Sequence, residues 1–301
     1  MKLFDETLPW YKANLHTHTT VSDGKATPEE AIRLYKEAGY SVLALTDHWR
    51  VTPGTEEKDF LLISSSELDT NYTETAPVNE CYHIVGIGIP ADADLSGYTK
   101  KEHPQVIIDK ILSLGGCPIL AHPQWSLDLP QRIASLKGLC AAEVYNTVSG
   151  FPWNPDRADS SDVLDQAALL GAYLPQVASD DAHFYNGDQC RSYTMIQPKE
   201  FTVEGIKDAL RNGAFYASRG PRVDQVEVTE NQIIVTCSEC VGAVFYSNSP
   251  WVSNRSKNTP EGCTKFVYDI SKSDRFVRVE VIDKDGNRAY VSPIKIERKE
   301  Q

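Results

Sequence analysis

Residues 27–48 read T-P-E-E-A-I-R-L-Y-K-E-A-G-Y-S-V-L-A-L-T-D-H, and the reading of this stretch sets the architecture. Thr27 is an N-cap, Pro28 takes the first helical position and Glu30 stands three residues past the cap, so the segment opens as a capped helix. Ala31, Leu34, Tyr35 and Ala38 form its inner face, and Gly39 stops it. Residues 41–46 then run as one apolar strand that ends in Asp47 and His48. A helix that hands over to a buried strand finishing on a polar pair is the repeating unit of a β/α architecture.

Outward from this unit, further apolar runs occur at 60–65, 82–89, 118–121, 141–145 and 174–178, with helical patterns at 104–114, 129–136, 161–170 and 203–212. In parallel barrels the loops after the strands open on one face, where the chemistry collects. After Gly220-Pro221 the pattern becomes β only, with runs at 223–228, 232–236, 243–246, 265–270, 276–282 and 288–291 and a D-K-D-G-N turn. The expectation is an α/β unit over 1–220 and a small all-β, sandwich-like domain over 221–301. The second contains no histidine and reads as a packing or oligomerisation element.

Composition narrows the classes. With 41% hydrophobic and 24% charged residues the chain reads as an ordinary soluble protein. Its start, M-K-L-F-D-E-T-L-P-W, builds no apolar core, and no run approaches a membrane span, so neither a secretory signal nor membrane association is expected and a cytoplasmic location follows by default. Seven cysteines without regular spacing read as reduced thiols, the Cys237/Cys240 pair included. A net charge of −12 without a basic cluster disfavours nucleic-acid duplexes as partners. A small phosphorylated or ester molecule is the expected partner.

Six of the seven histidines fall in short motifs close to acidic residues: L-H-T-H-T at His16 and His18 with Asp23 after it, T-D-H at Asp47 and His48, Glu67 in S-S-E, His83 in Y-H-I, His122 in A-H-P, and Asp181 and His183 in S-D-D-A-H. Only His103 stands outside. Taken singly, S-D-G is a turn, a lone histidine in an apolar strand is a core residue, and Asp47 is a strand-end carboxylate. Taken together at successive strand ends, they read as one multinuclear site, because imidazole and carboxylate are ligands for zinc, manganese and iron.

This ordered set, above all N-L-H-T-H-T-T-V-S-D-G, A-L-T-D-H and S-D-D-A-H, resembles the PHP (polymerase and histidinol phosphatase) superfamily over residues 14–220. The resemblance implies a distorted (β/α)7 barrel with two or three divalent ions. His16, His18, Glu67 and Asp181 would hold the first ion. Glu67 would bridge to a second, held also by His83 and His122, and Asp23, His48 and His183 would hold the third. The segment at 141–146 and the C-terminal β region look like the carbaryl-hydrolase-like branch of metallohydrolases. Trp49 departs from that branch, where a small polar residue commonly follows T-D-H. The short spacing from His83 to His122 leaves no room for the inserted cap of the nucleoside-diphosphate-cleaving relatives.

Three dications (+6) against three carboxylates (−3) leave the site at +3, which attracts anions. The expected activity is therefore that of a metal-dependent phosphoesterase on a small monoester, with a metal-bridged hydroxide attacking phosphorus in line. Carboxylic or carbamate ester hydrolysis at the same ions is the alternative, and a metal-binding protein without turnover is a third reading. Asp47, Asp181 and His183 are the candidate catalytic groups. Arg219 and Arg157 are candidate phosphate binders by bidentate donation, and Glu143 and Asn146 are candidate rim residues.

Overall fold

The first helix forms as its sequence directs. In the computed structural model, which describes residues 1–72 and 80–297, α1 (Pro28–Glu37) carries a full capping box: Thr27 Oγ1 accepts from Glu30 N, and Glu30 Oε2 accepts from Thr27 N at 2.8 Å. Its buried residues are Ala31 and Tyr35. Gly39 follows at φ +77°, a left-handed turn that glycine adopts without strain.

The strands before the C-terminal region are β1 (Tyr11–Asn14), β2 (Val42–Ala44), β3 (Thr55–Glu56), β4 (Leu61–Ile63), β5 (Ser65–Thr70), β6 (Tyr82–Ile87), β7 (Cys117–Leu120), β8 (Ala141–Asn146), β9 (Gln176–Ser179), β10 (Tyr193–Ile196) and β11 (Phe215–Ser218). Among them lie α2 (Pro104–Ser113), α3 (Pro123–Ser126), α4 (Pro130–Ser135), α5 (Thr147–Gly150), α6 (Ser161–Leu169) and α7 (Val203–Asn212). The C-terminal strands are β12 (Val223–Val228), β13 (Gln232–Ser247), β14 (Ser256–Asp269), β15 (Phe276–Ile282) and β16 (Arg288–Lys295).

These form two sheets rather than one closed ladder. The larger runs β12-β13-β15-β16-β11-β10-β1-β2-β4-β3 with β14 beside β13, and the smaller runs β5-β6-β7-β8-β9. β1, β2 and β4 are mutually parallel, as are β7, β8 and β9, whereas β5, β6 and β7 alternate in direction. The expected (β/α)7 barrel is thus not found as a closed hydrogen-bonded barrel among the described residues. The reason lies in the 61–89 region: β4 passes into β5 across the single residue Ser64, and β5 and β6 pair as an antiparallel ribbon. Two seams separate the sheets, crossed by isolated bridges: His48–Glu67 and Thr52–Ser65 at the first, and Thr17–Ala182 at the second. Thr194 Oγ1 adds a link across the second seam, bonding Ala178 N and O at 3.0 Å each.

Between the sheets lies an apolar core drawn from both, including Ala13, Val42, Ile63, Val85, Ile119, Val177 and Ile196. Fully burying each larger aliphatic chain contributes about 1.5–3 kcal/mol. β13 spans two of the expected strands in a single run, and β16 pairs with β11, so one sheet continues into the C-terminal region. Among the described residues no helix is long and apolar enough to cross a membrane. All seven cysteines are free thiols.

Candidate metal centre

Four motif histidines, His16, His18, His48 and His183, lie at the two seams, and His122 and His83 approach His16 and His48 from the smaller sheet, ring centres 5.7 and 5.6 Å apart. His16 and His18 lie just past β1, where His18 N donates to Ala182 O and Asp181 N to His16 O. His48 sits past β2, held because Trp49 N bonds Glu67 O and Glu67 N bonds Thr46 O. Glu67 is inside β5, not at the end of a 60–65 strand, and His83 in β6 is paired with Asp69, two residues along β5. His122 lies two residues past β7, and Asp181 follows β9.

Glu67 and Asp181 stand at the centre of this cluster. His16 Nε2 and His18 Nε2 are 3.2 Å apart and each is 3.1 Å from Asp181 Oδ1. Glu67 Oε2 lies 3.3 Å from His16 Nε2 and 3.0 Å from His18 Nε2. A tetrahedral ion with ligands at about 2.0–2.1 Å has ligand–ligand edges of about 3.3–3.4 Å, close to those separations. Glu67 turns its other oxygen to His83 Nδ1 at 2.7 Å and His122 Nε2 at 3.6 Å, so its carboxylate faces two neighbouring positions. Asp23 meets His183 Nε2 at 3.5 Å, His48 Nε2 at 3.8 Å and His18 Nδ1 at 3.5 Å. Four overlapping groups able to hold a metal ion result: His18-Asp23-His48-His183, His16-Glu67-His122, His16-His18-Asp181 and His48-Glu67-His83. All nine expected ligand residues are among them. His18 also joins the Asp23 group, where the resemblance did not put it, and His83 and His122 fall in separate groups.

These residues fit divalent cations on two observations. Asp181 Oδ1 and His48 Nδ1 are buried and make no hydrogen bond of good geometry although polar atoms stand 3.1 Å from each, and two imidazole nitrogens facing each other at 3.2 Å need a proton or a cation between them. Burial alone would raise the pKa of Glu67 and Asp181, but His16 and other facing histidines outweigh it and hold both well below the carboxylate range. Burial would lower His18, yet Asp181 and Glu67 leave it raised to about 9.

A second row of carboxylates steers the first. Glu143, a buried acid in an apolar strand, sets Oε1 2.9 Å from His16 Nδ1, which directs the Nε2 lone pair into the cluster. Its Oε2 accepts from His122 N at 2.9 Å and Asn146 Nδ2 at 2.7 Å. Asp69 Oδ1 lies 3.1 Å from His48 Nδ1 and accepts Trp49 Nε1 at 2.9 Å. Asp180, lifted to about 6 by burial, accepts from Tyr35 of α1 and from the backbone N of Ser192.

Several expected roles change in this geometry. Glu143 and Asn146 are buried behind the ligands and do not line the rim. Asp47 Oδ1 accepts from Thr19 N, Ser22 N and Ser22 Oγ, and Oδ2 from Thr19 Oγ1, so it holds the turn that presents Asp23. Arg219 stacks 4.0 Å over the Tyr145 ring, among the residues that meet β16, and the nine ligand residues are not among its partners. Arg157 is half-buried and gives Nη1 to Gln124 O at 3.0 Å, next to the turn that carries His122. His103, the histidine outside the motifs, is the N-cap of α2.

Backbone strain gathers here as well. Trp49, His122 and Asp181 all have positive φ, at +54°, +29° and +53°, a conformation costing about 1–3 kcal/mol each for such residues. Gly24 in S-D-G is required by space, since a Cβ would come within 2.5 Å of His18 C and O.

The fold and cluster thus define a mixed α/β protein with a histidine- and carboxylate-lined site able to hold metal ions. The chain is 30% identical over 154 residues, 45% of its length and 81% of the other, to the uncharacterized protein MJ1587 of Methanocaldococcus jannaschii. At that identity and coverage it belongs to the family of this archaeal protein. No protein-family model matches. Similar solved structures include a two-domain protein from Bacteroides vulgatus described as containing a predicted PHP-like metal-dependent phosphoesterase, at 17% identity over 97% of this chain and 96% of that one with TM-score 0.49. Another is an amidohydrolase from Chromobacterium violaceum, at 16% identity over 58% and 89% with TM-score 0.39.

Proposed function

We propose that this chain is a PHP-type metal-dependent hydrolase that cleaves a small phosphate monoester, with two or three divalent ions (zinc, manganese or iron) held by His16, His18, Asp23, His48, Glu67, His83, His122, Asp181 and His183. The observation that carries the reading is the close packing of His16, His18, Glu67 and Asp181, whose ligand atoms stand 3.0–3.3 Å apart. Bound there, divalent ions supply a Lewis acid and a water acidic enough to act as nucleophile near neutral pH. The distorted seven-strand barrel is supported by the isolated bridges spanning both seams, and the boundary near residue 220 by the helix-free strands that follow it.

The chain's own residues orient and stabilise. Glu143 fixes the His16 ring, and Asp47 fixes the turn bearing Asp23. We assign Asp181 and His183 to the reacting centre; His183 Nδ1 lies 2.7 Å from Asp181 O, which sets the ring's direction. Arg157 has guanidinium donors left for a phosphate oxygen beyond its bond to Gln124. The carboxylic or carbamate ester reading draws support from Trp125, whose half-exposed ring lies 5.0 Å from His122 and 5.8 Å from His83 and gives the mouth an apolar side.

Metal-loaded protein assayed against p-nitrophenyl phosphate and an aryl acetate separates the two. Release from the phosphate is expected, with loss on chelation and recovery on adding metal back. Phosphatase activity surviving intact in both His18→Ala and Asp181→Ala would show that the assigned residues are not the site.

A further inference from the structure

A cleft of roughly 860 Å³ lies between residues 48–51 and 91–100. It adjoins the metal centre directly, because His48 is both one of its walls and a member of two of the metal-binding groups. Trp49, Arg50, Leu95, Tyr98 and Lys100 also line it.

Two of these side chains are fixed and one is free. Trp49 is held by its left-handed backbone and by donation from Nε1 to Asp69 Oδ1, so its ring is a preset surface. Lys100 Nζ is spent on Asp69 Oδ2 at 2.6 Å. Arg50 is exposed, and among the described residues its guanidinium has no ion-pair partner. In a chain of net charge −12, an unneutralised guanidinium beside two aromatic residues and a leucine is a local match for a planar group that ends in an anion.

We propose that this cleft receives the organic part of the substrate, and that the substrate is a phosphate monoester with a planar body carrying a second anionic group, the body lying against Trp49 and Tyr98 and the second anion paired with Arg50. The proposal rests on the phosphoesterase reading above and extends it to a substrate class. Arg50 and Tyr98 act here as specificity residues, remote from the reacting atoms.

The test compares phenyl phosphate with 4-carboxyphenyl phosphate and 1,4-phenylene bisphosphate as substrates of the metal-loaded protein. Alongside it, the unhydrolysable benzylphosphonate and 4-carboxybenzylphosphonate are titrated while tryptophan fluorescence is followed. Wild type is expected to prefer the ligands carrying a second anionic group about tenfold in both kcat/KM and Kd, a typical worth of one charge-assisted pair. Arg50→Ala should bring the ratio to about one, and Tyr98→Leu should weaken all aryl ligands alike. The carboxylate and bisphosphate arms tell which second anion fits better. Equal affinities in wild type, or a preference that survives Arg50→Ala, overturns the cleft assignment. A fluorescence preference for 4-carboxybenzylphosphonate without turnover of any aryl phosphate supports the anion site while overturning the phosphoesterase reading.

Discussion

Two clusters of buried charge among the described residues are built on opposite rules. Beneath the C-terminal strands, the fully buried Arg278 gives Nε and Nη2 to the two oxygens of Asp165 on α6, each at 2.8 Å, and Nη1 to Glu280. Glu280 uses its second oxygen on Arg288, and the Tyr246 ring lies 4.3 Å from the Arg278 guanidinium carbon. The carboxylates there face cations. At the seams the buried groups face one another instead: nitrogen opposes nitrogen, Asp181 Oδ1 and His48 Nδ1 lack hydrogen bonds, and three backbones are strained. An unpaired buried polar group costs about 1–3 kcal/mol. Similar residue types serve both clusters, so composition does not separate a structural cluster from a binding one; unmet valence does.

The comparison breaks first at Asp181. Asp181→Ala is expected to lower hydrolytic activity by more than about hundredfold, because even groups behind the ligands are worth roughly 10–100-fold at such sites, while urea unfolding stays cooperative. An active Asp181→Ala protein would place the seam cluster with the structural one. Arg278→Ala tests the converse. It strands Asp165 and leaves Glu280 with Arg288 alone, and is expected to destabilise by about 3–5 kcal/mol, read by urea denaturation, with metal affinity per folded molecule unchanged. Glu143→Gln sharpens the boundary between the two kinds of site: the amide keeps the shape but loses the charge behind His16, so metal affinity is expected to drop about 10–100-fold by isothermal titration at nearly constant stability. The smallest effect is expected from His103→Ala, which removes an N-cap on α2. A thermal-stability loss of about 1 kcal/mol with metal content unaltered by elemental analysis would separate the seventh histidine from the other six.

Much of this was legible beforehand because it is written in local periodicity. The α1 cap, the 203–212 helix and the placement of six histidines near strand ends follow from short-range patterns. What was not legible depends on pairing across the chain. Glu67 lies inside β5 because β5 bonds the extension of β2, a partner some twenty residues away. β1, β10 and β11 are four-residue strands, too short for a periodic signal. The roles of Glu143 and Asp69 were missed, although each left a trace. A glutamate amid A-A-E-V-Y-N, in a strand otherwise fit for burial, needs a partner inside, and Asp69 stands two residues from Glu67 on the same face of its strand. Arg219 misled because a guanidinium in a turn looks the same whether it meets a phosphate or an aromatic ring.

The pairing of β11 with β16 carries a consequence for any attempt to work with the metal-binding half alone. Ser292 Oγ beyond that junction also accepts from Gln176 N at the start of β9. A chain cut at Gly220 would strip the outer side of β11, leaving the backbone groups of Ala217 and Ser218 unanswered. Such an edge is a template for other strands, so the shortened protein should self-associate in proportion to its concentration. The histidine-free C-terminal region thus shields the fold from its own copies.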